Sequence, residues 1–135
     1  MTKKISECSD EELENYMRRL AKNSYKYKKK KKPLVDLKVK DFYNILKKDI
    51  HKGCPYCGCE YEIFCGGEHN PSGVSFDIIN PHFPTISAWN IQLLCVDCNI
   101  SKGHHSHEEF MKYCLDMGKV AQKEIVGFYK ELGER

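Results

Sequence analysis

Apolar residues recur at helical spacing near the start of this chain. Leu13, Tyr16, Met17 and Leu20 step by three and four and predict a helix over 10–22 with one apolar face. Ser9 with Glu12 matches a capping box, and Asp10, Glu11 and Glu12 place negative charge at the helix's positive end. A second helix is expected over 39–50, with Phe42, Ile45 and Leu46 on one side and Gly53 as its stop. Residues 34–39 between them read as a short strand or an extended lead-in. Further on the period changes. Residues 74–79 alternate and read as a strand, residues 89–94 as a second, and Pro81 and Pro84 make the segment between them a loop. Residues 59–73 read as a loop or hairpin. A helix over 97–102 is expected to end or break at Gly103. Ser106 with Glu109 repeats the capping box and opens a helix over 107–117. Gly118 is its expected stop, and a last helix covers 119–132.

Charge divides this pattern in two. Residues 1–53 carry 16 Lys/Arg against 8 Asp/Glu, a net of +8, and residues 54–135 carry 6 against 11, a net of −5. A basic front half suits an anionic partner such as nucleic acid, or a solvated surface tail. Six lysines occupy seven positions from Lys26 to Lys32, so mutual repulsion predicts a flexible stretch there, and Pro33 ends any helix reaching it. Lys28, Lys29, Lys30, Lys31 and Lys32 are candidate phosphate contacts, with Tyr25 and Tyr27 beside them; the plain alternative is a solubilising linker.

The chain is 41% hydrophobic, which suits a folded domain rather than a disordered one. No apolar run approaches the roughly 20 residues of a membrane helix, and the first residues contain no apolar stretch suited to a signal peptide. A reducing cytoplasm is the expected setting. There, eight cysteines favour metal ligation over disulfides. Cys54/Cys57 and Cys95/Cys98 form two Cys-x-x-Cys pairs, separated by 37 residues. Two such pairs complete a closed tetrahedral site, so one structural zinc ion is expected to staple the insert between them. Cys8, Cys59, Cys65 and Cys114 lack that pattern, with Cys59 or Cys65 as substitutes if a ligand is misassigned. Trp89 and Tyr56 are expected to be packing residues.

Asp77 followed by Asn90-Ile91-Gln92-Leu93-Leu94-Cys95, then Cys98-Asn99 and Lys102-Gly103, resembles an HNH endonuclease of the zinc-stapled kind common in phages. The resemblance covers about residues 39–117. It implies an α+β protein with a ββα-metal core, a four-cysteine zinc staple and flanking helices. Three segments follow: 1–38 as an N-terminal helix and basic stretch, 39–117 as the HNH-like domain, and 118–135 as a C-terminal helix packing on it. The resemblance also implies a metal-dependent DNA endonuclease or nickase, with DNA as partner and no small-molecule cofactor. Asp77 and Asn99 would hold a catalytic Mg²⁺ or Mn²⁺, Asn90 would brace the loop, and Lys102 would meet DNA. One position departs from the family. Ile78 stands where the general-base histidine is usual, and base catalysis contributes roughly 10²–10⁴-fold. Some relatives carry another residue there, such as Arg. His82 or His69 would have to serve instead, or the protein is a zinc-dependent DNA-binding module that does not cut. His104, His105 and His107 cluster near Lys102, either as phosphate contacts or an adventitious metal site, or as solvent-exposed residues at a helix junction.

Overall fold

The computed structural model describes residues 2–32, 34–63 and 70–133. The elements run β1 (Lys3–Lys4), α1 (Asp10–Lys31), α2 (Val39–Asp49), β2 (Glu62–Ile63), β3 (Val74–Ile78), β4 (Ile91–Cys95), α3 (Val96–Lys102) and α4 (His107–Gly133). They make two small antiparallel sheets, β1–β2 and β3–β4, packed with helices.

Local chemistry sets most boundaries. The Ser9 hydroxyl accepts from the Glu12 N–H, and the Glu12 carboxylate accepts from the Ser9 N–H, closing the capping box at α1. Ser106 and Glu109 do the same at α4. Gly53 and Gly103 end α2's trailing turn and α3 at φ values of 77° and 56°, which only glycine adopts easily. Before α2, Val35 bridges to Ile86 in parallel register, and Val39 already belongs to the helix.

Two expectations fail at element scale. The lysine run is not a loose tail: α1 continues to Lys31. Lys28 donates to the Phe76 carbonyl at 3.1 Å and Lys32 to the Pro81 carbonyl at 2.9 Å, so backbone acceptors take up charge that would otherwise repel. Lysines in a last turn also suit the helix's negative end. Nor does Gly118 end a helix: α4 runs through it without a break. A glycine inside a helix costs only about 1 kcal/mol, and nothing here demands a left-handed residue. Residues 118–133 therefore extend α4 instead of packing back on the domain, and all of them are exposed.

One core joins the front half to the β3–β4 sheet. Leu13, Tyr16, Met17 and Ala21 of α1 are buried with Phe42 and Leu46 of α2 and with Val74, Phe76, Leu93 and Leu94 of the sheet. Phe42 meets Phe76 edge-on at 5.0 Å. Alternation along β3 sends Phe76 one way and Ser75 and Asp77 the other. The register sets Asp77 opposite Gln92 and Ser75 opposite Leu94. α3 follows β4 directly and bonds to the Ser75 and Asp77 side chains. Among the described residues, no helix is long and apolar enough to cross a membrane.

Candidate metal centre and lysine-lined cleft

Two tight turns bring the four expected cysteines together. At the first, Gly58 (φ 77°) lets its N–H reach the Cys54 carbonyl at 2.8 Å, while the Cys54 N–H donates to the Cys59 carbonyl at 2.9 Å. At the second, β4 delivers Cys95 and the first turn of α3 delivers Cys98. The ligand atoms of Cys54, Cys57, Cys95 and Cys98 lie within 4.8 Å of one another, close enough to share one metal ion. Backbone N–H groups already point at the sulfurs: Cys95 N–H at Cys54 Sγ and Cys98 N–H at Cys95 Sγ, both at 3.4 Å. Such donors favour thiolate. A hydrogen bond from the Cys59 backbone brings the Cys57 thiol down to about 7, whereas burial pushes Cys95 and Cys98 up. A shared cation resolves that conflict, because it lets neighbouring buried thiolates carry charge together. Among the described residues no other group of this kind occurs; Cys59 lies beside the cluster, and Cys65 lies outside the described residues.

The β3–β4–α3 unit frames a second site. Asn90 is fully buried; its Oδ1 accepts from the Asn80 N–H at 2.8 Å and its Nδ2 donates to the Asn80 carbonyl at 3.1 Å. The long connection between the strands is thereby clamped at its base. Next to it opens a cleft of about 490 Å³ lined by Lys28, Lys31 and Lys32 of α1, Ser75 and Asp77 of β3, and Asn99 and His104 from α3 and its exit. Tyr27 and Ile78 also face it. Lys28 is half-buried, and burial holds its amine below the usual lysine range despite the opposing pull of Asp77.

Asp77 is already committed inside the protein. Its carboxylate is 4% exposed and sits 3.1 Å from the ammonium of Lys102, which is wholly enclosed. Lys102 also donates to the Ile78 carbonyl at 2.8 Å, and Gln92 Nε2 donates to Asp77 Oδ2 at 3.0 Å. Asn99 donates its amide nitrogen to Ser75 Oγ at 2.9 Å and to the Phe76 carbonyl at 3.2 Å. The carbonyl partner fixes which end of the amide faces the strand, because only the nitrogen can donate. Asp77 and Asn99 thus come together as expected. Yet this arrangement does not fit a hard divalent cation, because a buried ammonium already neutralises the carboxylate.

The other expected residues scatter. Lys29 and Lys30 are exposed and do not line the cleft, and Lys29 donates to the Tyr25 hydroxyl at 3.2 Å. Lys102, expected at a phosphate, is spent on Asp77 and Ile78. His82 is exposed and holds Glu109 at 2.7 Å rather than facing the cleft. His69 lies outside the described residues. Trp89 packs edge-on against Phe83 at 4.7 Å, as a surface contact, since it is 60% exposed. Tyr56 does pack, against Phe110 at 5.6 Å, and shares a 2.7 Å hydrogen bond with His107. The roles of Ser75 and Gln92 escape a reading by motif. The strand alternation that faces Ser75 and Asp77 the same way was the available signal. Compared with known proteins, the chain matches no family model, no curated protein and no solved structure.

Proposed function

We propose that this protein binds the phosphate backbone of DNA in the lysine-lined cleft, on an HNH-type ββα unit that a structural zinc ion holds closed. The observation that carries the reading is the convergence of Lys28, Lys31 and Lys32 on one cleft whose single lining carboxylate, Asp77, is internally neutralised by Lys102. The cleft therefore presents net positive charge. Lysine–phosphate contacts supply affinity without reading bases, so binding has little sequence preference. Zinc as the staple is supported by sulfur spacing. A tetrahedron with Zn–S bonds of ~2.3 Å has sulfurs about 3.8 Å apart, and Cys57 and Cys95 Sγ are 3.8 Å apart. Four thiolates leave no open position for water, so the metal's part is structural.

Fluorescence anisotropy with a labelled duplex tests this. Wild-type protein should bind without added Mg²⁺. Lys28→Gln/Lys31→Gln/Lys32→Gln should weaken binding at least tenfold, and Lys47→Gln/Lys48→Gln on α2 should not. Equal losses from both variants would refute the assignment of the cleft.

A second reading, phosphodiester hydrolysis, is favoured by the Asn90 clamp and by Asp77 and Asn99 lining the same cleft as the lysines. It requires Lys102 to release Asp77 and a base other than Ile78. Plasmid nicking with Mg²⁺ or Mn²⁺, abolished by chelation and by Asp77→Ala, would establish it; intact plasmid under every condition leaves the binding reading alone.

A further inference from the structure

The cleft holds more than its lysines. It is also lined by Tyr27, Ile78, Pro81, Ile86, Val96 and Ile100, drawn from α1, β3, the β3–β4 connection and α3. Tyr27 is 58% exposed and Ile100 64% exposed, so two large apolar side chains stand open to water in the same cleft as three ammonium groups. Phosphate contacts account for Lys28, Lys31 and Lys32, since phosphate oxygens are held by charged and N–H donors. They give no use to the apolar lining, which gains only by being covered.

The two kinds of lining are interleaved on one helix. Tyr27 and Lys31 are four apart on α1, as are Lys28 and Lys32, so a ring and three ammonium groups enter the cleft together. Lys31 Nζ stands 5.8 Å from the Tyr27 ring centroid. Lys28 and Lys32 each donate to one backbone carbonyl, and an ammonium has three N–H groups to give. A ligand that answers this arrangement joins a flat apolar part closely to an anionic part. A nucleotide does so: its base can lie on the Tyr27 ring while its phosphate meets the ammonium groups. The cleft's volume of about 490 Å³ falls within the roughly 300–1,000 Å³ of pockets that enclose small ligands. In a duplex each base is stacked and paired within the helix. A base that is already unpaired has a face to offer and costs least to turn aside. Ile78, which can move no proton, serves here as apolar wall.

We propose that the cleft takes an unpaired nucleotide of single-stranded DNA, with its base stacked on Tyr27 and its phosphates on Lys28, Lys31 and Lys32. This rests on the DNA-binding reading above and narrows it: the preferred substrate is a single strand, a gap or a frayed end rather than intact duplex.

Fluorescence anisotropy with one labelled oligonucleotide, alone and annealed to its complement, tests this at a single salt concentration. Phosphate contacts alone favour the duplex, whose slope of log K against log salt is about −0.9 per phosphate against about −0.7 for a single strand. Stacking one base on an aromatic ring is worth about 5- to 150-fold in affinity and reverses that order. Wild-type protein should therefore bind the single strand at least about fivefold tighter than the duplex. Tyr27→Ala should erase the preference, and Tyr27→Phe, which keeps the ring, should retain it. Tyr27 is exposed on α1 and alanine favours helix, so helical circular dichroism should persist in both variants. Equal or tighter duplex binding by wild type, or a Tyr27→Ala variant that keeps the preference, would overturn the proposal and leave the lysine reading standing. Lys28→Gln/Lys31→Gln/Lys32→Gln should lose affinity for both forms of DNA; full binding of both by that variant would overturn the lysine reading and this one together.

Discussion

Asp77 and Lys102 form a pair in which each residue depends on the other. Removing one partner strands a buried charge, which costs about 3–5 kcal/mol, whereas replacing both with apolar groups is often close to neutral. Asp77→Ala and Lys102→Met should each lower stability by that order in urea unfolding. The double variant should be less destabilised than the sum of the two, and simple additivity would mean that the pair does not exist in solution. Asn90 offers a second test at this scale. Asn90→Ala leaves the Asn80 N–H and carbonyl without their buried partners, for a loss of about 1–3 kcal/mol. The pair and the clamp differ in how far the sequence disclosed them. Asn90 stood out by its place in a motif. The Asp77–Lys102 contact joins residues 25 apart and depends on which face of β3 lies under α3, which no local spacing displays. Glu109 adds a pH test. The Ser106 N–H, with His82 second, holds its carboxyl down to about 2 from an ordinary 4.5. A depressed carboxylate supports the fold above its unfolded value and loses that support as pH falls toward the folded one. Its NMR titration midpoint should therefore lie near 2, and a midpoint near 4.5 would show the α4 capping box to be open.

At the scale of elements, caps and turn glycines were legible because they act within a few residues. Both capping boxes, the stop at Gly53 and the end of α3 at Gly103 follow from local backbone needs. The Cys-x-x-Cys pairs were legible for the same reason, since each turn aims two sulfurs by itself. The lysine run and Gly118 misled because their outcome depends on what lies nearby. The carbonyls of Phe76 and Pro81, far along the chain, give α1 partners for its amines. Gly118 sits inside α4, which runs on through it to Gly133. The staple makes a further prediction. Metal analysis should find one zinc per chain, and chelation should unfold the β3–β4–α3 unit, because metal affinity in such sites is folding free energy. Metal-free protein that keeps its native circular dichroism would contradict this.

Across the whole molecule, lysines from the basic front half meet residues of the second half at one cleft. α1 supplies Lys28, Lys31 and Lys32, and the β3–β4–α3 unit supplies the floor on which they converge, so these three lysines line the cleft instead of trailing beside it. Binding that runs through lysine–phosphate contacts releases counterions, with a slope of log K against log salt of about −0.9 per neutralised phosphate on duplex DNA. The most direct measurement of the central claim is that slope, for wild-type protein and for Lys28→Gln/Lys31→Gln/Lys32→Gln. If the cleft holds the phosphate backbone, the variant's slope should be shallower by roughly 2–3 per chain bound. An unchanged slope would contradict the account, because the phosphates would then be held elsewhere.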